Sequence, residues 1–162
     1  MPTAIPIKQA ATEFLALKRI AVTGVSRNPQ GHGSNTVFDR LIERGYDAVP
    51  INPNADELGG RTAYPNLTAV PDPVEAVVIG TAPEHAMATM VEAVELGIPQ
   101  VWMHRSVDAG SVSPEAAQYG REHGVRVIEG GCPLMFDPAS DGGHKLMCSV
   151  LKLFGKVPRT VE

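Results

Sequence analysis

Apolar residues along this chain fall into two kinds of run, and the two kinds alternate. Five runs are short and nearly continuous: RIAVTG (19–24), YDAVPINP (46–53), EAVVIG (75–80), PQVWMH (99–104) and VRVIEG (125–130). Runs of that length with little polar interruption mark strands buried on both faces. The second closes at Asn52-Pro53, because a proline has no N–H to give a sheet ladder. Between the runs the spacing becomes helical. Val37, Phe38, Leu41 and Ile42 share one face of a helix from about Ser34, and Gly45 stops it. Pro83 opens a second helix with Met87, Met90, Val91 and Val94 on its apolar face and Gly97 at its end. Ser113-Pro114-Glu115 opens a third, running to His123 and stopping at Gly124. Its serine is a cap, its proline suits the first turn, and its carboxylate meets the positive end of the helix dipole. Residues 143–154 make a last helix. Residues 54–74, with Gly, Pro and Asn at short intervals, read as an irregular crossover carrying one short helix.

Strands alternating with helices predict an α/β fold, a Rossmann-like, doubly wound, parallel five-stranded sheet with helices on both faces. Right-handed crossovers leave few topologies, and the strand order expected is 3-2-1-4-5. Neither a repeat nor a linker breaks the pattern, so residues 1–162 read as a single domain. Within it, residues 1–15 form a small accessory helix laid against the edge, and residues 136–162 a helical extension.

Composition narrows the function classes. Of 162 residues, 43% are apolar and 20% charged, and the formal net charge is −4 with no long basic run. General nucleic-acid binding, which rests on neutralising phosphates, is therefore not expected. Nor is a membrane span, since no apolar run approaches the roughly 20 residues required. The start, MPTAIPIKQAATEF, lacks the basic-then-apolar order of a secretory signal. Two cysteines, Cys132 and Cys148, fit a reducing compartment, and a cytoplasmic location is expected.

In open parallel sheets a ligand lies beyond the carboxyl ends of the strands, where their order reverses. That rule selects Gly24 to Gly33, Asn52-Pro53, Gly80 to Pro83, and Met103 to Ser106. The first stretch offers Gly24, Ser26, Arg27, Asn28, Gly31 and Gly33 ahead of a helix. Glycine lets a phosphate approach the backbone, helix-start N–H groups favour an anion, and Ser and Arg add donors. Such turns also arise for steric reasons alone. The dinucleotide pattern G-x-G-x-x-G is not spelled here, and the second strand ends without the carboxylate that takes the ribose hydroxyls of NAD. Thr81 is a cap or a ligand donor, and His104 and Arg105 set an imidazole and a guanidinium beyond the fourth strand. Together these features favour a nucleotide with several phosphates without naming one.

The blocks IAVTGVSRNP, LIERGYDAVPINP, YPNLTAVPDPVEAVVI, GIPQVWMH and VIEGGCP resemble the stand-alone CoA-binding domain family. That family is related to the CoA-binding domain of the succinyl-CoA synthetase alpha subunit and of acyl-CoA synthetases. The ordered combination G-x-S, GY, N-P, VW, CP carries the resemblance, over residues 15 to 135. It implies a Rossmann-like fold holding coenzyme A or an acyl-CoA at the carboxyl edge of the sheet. By motif, Gly24, Ser26 and Arg27 would hold phosphate, and Asn52 and Pro53 would border the adenosine half. Thr81, Ala82 and Pro83 would form the next wall, with Met103, His104 and Arg105 near the pyrophosphate or pantetheine arm. The chain departs from the family at two places. Ile79-Gly80-Thr81 stands where members often carry an aromatic-Arg pair, and Trp102-Met103-His104-Arg105-Ser106 where they often read W-x-Q-x-G. Arg105 is the residue placed to replace the missing positive charge.

No catalytic or metal-binding set is expected. The five histidines, His32, His85, His104, His123 and His144, lack metal-ligand spacing, and the two cysteines lie sixteen apart. Ser26 lacks the G-x-S-x-G setting of a hydrolase nucleophile. Cys132 reads as a buried inert thiol, with a mixed disulfide to CoA as its alternative. The principal reading is a non-catalytic CoA-binding module whose apolar tail VLKLFGKVP suits a homo-oligomer. An NAD(P)-linked enzyme or redox sensor, and a subunit of a multi-chain acyl-CoA ligase, are the alternatives.

Overall fold

The computed structural model describes residues 3–28, 33–105 and 110–162. In chain order the elements are β1 (Ile5–Pro6), α1 (Ile7–Leu15), β2 (Arg19–Thr23), α2 (Gly33–Glu43), β3 (Asp47–Ile51), β4 (Glu57–Leu58), β5 (Arg61–Thr62) and β6 (Ala76–Ile79). They continue as α3 (Pro83–Glu95), β7 (Gln100–Met103), α4 (Pro114–Glu122), β8 (Arg126–Glu129), a 3-10 turn at Pro133–Met135, α5 (Gly142–Leu153) and β9 (Thr160–Val161). Five strands form one parallel sheet in the order β3-β2-β6-β7-β8.

Alternate residues of each strand feed opposite cores. Ile20, Val22, Val78, Trp102 and Ile128 face α1, α2 and α5, whereas Ala21, Val77, Val101, Met103 and Val127 face α3 and α4. The doubly wound parallel architecture is therefore as the sequence predicts. The strand order is not: numbering the sheet strands along the chain, it is 2-1-3-4-5 rather than 3-2-1-4-5. The reason lies on the outer edge of β3. There Tyr64 N–H donates to Pro50 O at 3.1 Å and Asn52 N–H to Tyr64 O at 2.9 Å, so residues around 64 cover the edge that the third strand would need. In a parallel strand the N and C=O of one residue point the same way, so Pro50's missing N–H also faces that edge. An edge strand is where a mid-strand proline is tolerated.

Three further expectations change. The crossover carries no helix between 57 and 62 but a hairpin, β4-β5, turning at Gly59 and Gly60 with φ 58° and 74°. The apolar face of α3 centres on the small residues Ala86 and Ala93 with Met90, while Met87 and Val94 are only partly buried. The amino-terminal helix α1 lies over the face of the sheet, not its edge: Phe14 meets Trp102 edge-on, ring centres 5.3 Å apart. Pairing of β1 with β9 and an Ile7 N–H bond to Arg159 O at 2.9 Å tie α1 to the tail. None of the described helices is long and apolar enough to cross a membrane.

Candidate functional site

The strand ends converge at the carboxyl edge, and the closest approach there is between glycines. Gly24, just past β2, has φ 81°, and a Cβ on it would lie 2.5 Å from Gly80 O. Gly80, just past β6, is tighter still: an added Cβ would overlap Ser34 Oγ and come within 2.7 Å of Thr23 O. Ser34 fills the notch, its hydroxyl donating to Gly80 O at 3.1 Å, while Gly80 N–H donates to Thr23 Oγ1 at 3.0 Å. The first described turn of α2 is thereby drawn onto the ends of β2 and β6. Gly33 serves the same end, since a Cβ there would lie 2.9 Å from His104 Cε1.

Two asparagines shape the loop after β2. Asn35 grips Ser26 on both sides, its Oδ1 accepting Ser26 N–H at 3.0 Å and its Nδ2 donating to Ser26 O at 2.7 Å. Asn52 Nδ2 donates to Val25 O, and Asn52 Oδ1 accepts Asn54 N–H, both at 2.8 Å. Ser26 Oγ accepts Asn28 N–H at 3.1 Å, and Arg27 Nη2 donates to Asn54 O at 2.9 Å. Of the donors that the Gly24–Gly33 stretch offered to a phosphate, Ser26 N–H, Asn28 N–H and one Arg27 nitrogen are thus committed to the fold. Among the described residues nothing takes up Ser26's hydroxyl hydrogen or the rest of the Arg27 guanidinium. A cavity of about 310 Å³ opens beside this loop, lined by Ser26, Arg27, Asn35 and Phe38 and by the carboxylates of Asp39 and Glu57.

The uncommitted donors lie one and two strands away. Thr81 Oγ1 and Arg105 Nε are buried and have no hydrogen-bond partner among the described residues. Ile79 and Met103 pair across β6 and β7, so Thr81 and Arg105 each stand two residues beyond a paired position on neighbouring strands. Arg105 is held there by its backbone, N–H to Gly131 O at 2.9 Å. A buried polar group without a partner costs about 1–3 kcal/mol, a cost that a ligand group bonded to either atom would relieve. The third such atom, Gln100 Oε1, lies at the opposite edge, at the start of β7.

The sequence-predicted residues therefore separate. Gly24, Ser26, Arg27, Asn52, Thr81, His104 and Arg105 all stand at the carboxyl edge; Ala82 caps α3 with Pro83 at its first turn; Pro53 is exposed. Met103 turns its side chain into the α3–α4 core and contributes only backbone. Gly31 and Ser106 lie outside the described residues. Sequence reasoning missed Ser34 and Asn35, whose signal was the polar triplet Ser34-Asn35-Thr36 opening an otherwise amphipathic helix. Cys132, past β8, is 2% exposed, and burial pushes its thiol up to about 12, so it stays protonated at neutral pH. Among the described residues no group of three or more His, Cys, Asp or Glu is arranged to hold a metal.

Comparison with known proteins places the chain among relatives of the same fold. A family model described as "CoA binding domain" matches residues 18–138. The YneT protein of Bacillus subtilis is 32% identical over 128 residues, 78% of this chain and 91% of that one. The ADP-forming acetate–CoA ligase II of Archaeoglobus fulgidus is 31% identical over 69% of this chain, which spans only 16% of the ligase. Among solved structures, a hypothetical protein from Pyrococcus horikoshii superimposes with a TM-score of 0.69 at 30% identity, covering 78% of this chain and 89% of that one.

Proposed function

We propose that this chain, which belongs to the CoA-binding domain family, binds coenzyme A or an acyl-CoA at the carboxyl ends of β2, β3, β6 and β7 and performs no chemistry itself. The observation that carries the reading is the pair of buried, unpartnered donors Thr81 Oγ1 and Arg105 Nε. They serve one pyrophosphate or phosphate group, Arg105 supplying the positive charge that the Ile79-Gly80-Thr81 end of β6 lacks. The glycine contacts of Gly24 and Gly80 keep backbone close beside it. Asn52, standing where an NAD site needs a carboxylate, spends its amide on Val25 and Asn54, which disfavours a nicotinamide cofactor. Both cysteines are free, in keeping with a cytoplasmic setting.

Calorimetric titration of the reduced protein with CoA, acetyl-CoA, NAD and NADP tests this. CoA or acetyl-CoA binds and the nicotinamide cofactors stay silent. Arg105→Ala and Thr81→Val each weaken CoA by about tenfold, or ~1.4 kcal/mol, and Thr81→Val does so without lowering the thermal midpoint, because it removes a hydroxyl the unliganded fold leaves unpartnered. Binding of NAD alone, or unchanged CoA affinity in Arg105→Ala, would sink the assignment. A second reading, the CoA-site subunit of a multi-chain acyl-CoA ligase, draws on the ligase relative. Acyl-CoA formation on adding an ATP-grasp partner chain is its test.

A further inference from the structure

A second concentration of unsatisfied chemistry lies on α5, away from the strand ends. Its inner side sends Cys148 and Leu151 into the core. Its outer side shows Leu146 and Val150 to solvent, with Leu153 and Phe154 82% and 72% exposed. The four recur at i, i+4, i+7 and i+8, a single stripe along the helix.

Beside the stripe, between α1 and α5, runs a groove of about 330 Å³ with Phe136 and Cys148 at its base and Lys8, Lys145 and Lys152 on its rim. One carboxylate answers these ammoniums: Asp137, whose Oδ1 lies 3.0 Å from Lys145 Nζ. Lys152 Nζ instead sits 5.9 Å from the Phe136 ring centre. The groove is net positive although the chain carries a formal charge of −4. Residues 142–161 include Lys145, Lys152, Lys156 and Arg159 and no Asp or Glu.

We propose that the α5 stripe and its groove dock an acidic amphipathic helix of a partner protein. Apolar side chains of that helix cover Leu146, Val150, Leu153 and Phe154, and its carboxylates reach Lys8 and Lys152. Charge selects this occupant over the others. A two-fold contact between copies would lay α5 on α5 and set Lys145 and Lys152 of each copy against the other's, with only Asp137 and Asp141 nearby, already engaged by Lys145 and by His144. An anionic bilayer would meet the chain's overall negative charge as well as Asp137 on the rim, and it touches only what protrudes, whereas the cations here border a concavity.

The probe is a fluorescein-labelled helical peptide about 15 residues long, with leucines on one stripe and glutamates on both flanks, beside a twin carrying lysines for glutamates. Fluorescence anisotropy shows saturable binding of the glutamate peptide, at least about tenfold tighter than its twin and weakened by salt. The double variant Lys8→Glu, Lys152→Glu reverses that preference. Leu153→Ser with Phe154→Ser abolishes binding of both peptides, while the thermal midpoint and CoA titration stay as in the wild type, since both side chains are exposed. The proposal is overturned if the glutamate peptide fails to bind or binds no better than its twin. It is equally overturned if sedimentation shows a dimer that Phe154→Ser dissolves, or if phosphatidylglycerol vesicles take up the protein in place of the peptide.

Discussion

Gly80 has no room for a methyl group. The direction its Cβ would take is filled by Ser34 Oγ and the Thr23 carbonyl; the Ser34 hydroxyl is pinned by its bond to Gly80 O, and Thr23 by its own hydroxyl, which accepts Gly80 N–H. Gly80→Ala therefore lowers stability by about 1–3 kcal/mol in urea titration. Gly142, with nothing within 4 Å of its Cβ direction, is the control: Gly142→Ala is neutral or stabilises by about 0.4–1 kcal/mol. Cys132 gives the second local test. Its folded value, about 12, lies above the ordinary 9.0 because burial disfavours the thiolate. Between those two values the unfolded chain has lost the thiol proton and the folded chain retains it, so the contribution is whole below pH 9 and is lost as pH rises towards 12. Iodoacetamide at pH about 8, near the ordinary thiol value, labels Cys132 rapidly only after unfolding. Labelling of the native protein at the rate of a free thiol would contradict the burial, and it would restore a CoA mixed disulfide as a reading.

Helix starts follow the chemistry of their first residues. Ser113 Oγ accepts Ala116 N–H at 3.3 Å with Pro114 at the first turn, so Ser113→Ala costs about 1 kcal/mol of unfolding free energy. Asp141 caps α5 in the same way, accepting His144 N–H at 2.8 Å, and that bond with the His144 ring holds its carboxyl below the ordinary range. Both signals are local, and the serine cap was legible as Ser113-Pro114-Glu115. The hairpin β4-β5 was not, although Gly59-Gly60 is the two-residue turn that positive φ requires. Its strands are only two residues long, too short for a period to register. The face of α3 was misplaced for a related reason. The large Met and Val side chains define one helical face by hydropathy, while close packing of the helix on the sheet selects Ala86 and Ala93 beside Met90.

The termini close over the sheet together. Trp102, the chain's one tryptophan, is fully buried between Phe14 of α1 and Phe136, and its Nε1–H donates to Gly130 O at 3.0 Å. Phe14→Ala opens a cavity at this junction, costs about 3–5 kcal/mol and shifts the Trp102 emission to the red as water gains access. An unchanged urea midpoint would mean that α1 is not part of the core. Arg126 and Glu13 form an ion pair between β8 and α1, and Tyr46 hydroxyl donates to Leu15 O at 2.6 Å. Both contacts hold α1 across the face, an arrangement that the apolar face of a short helix leaves open.

Hydrophobic period, glycine stops and serine caps are properties of neighbouring residues. They sufficed to state five parallel strands, the helices between them and the carboxyl edge as the place to look. Strand order turned on Tyr64 covering Pro50, a meeting of two chain segments, though the mid-strand proline was already a local clue to an edge. The division of the site's donors had no local clue at all. Ser26, Arg27, Asn52, Thr81 and Arg105 look equally available along the chain. Asn35 takes up the backbone of Ser26, Asn54 one nitrogen of Arg27 and Val25 the amide of Asn52, through contacts nine to twenty-seven residues apart in the chain, whereas Thr81 Oγ1 and Arg105 Nε are buried with no partner among the described residues. A hydrogen bond is made in space and satisfies a donor only once, so availability is a property of the folded chain.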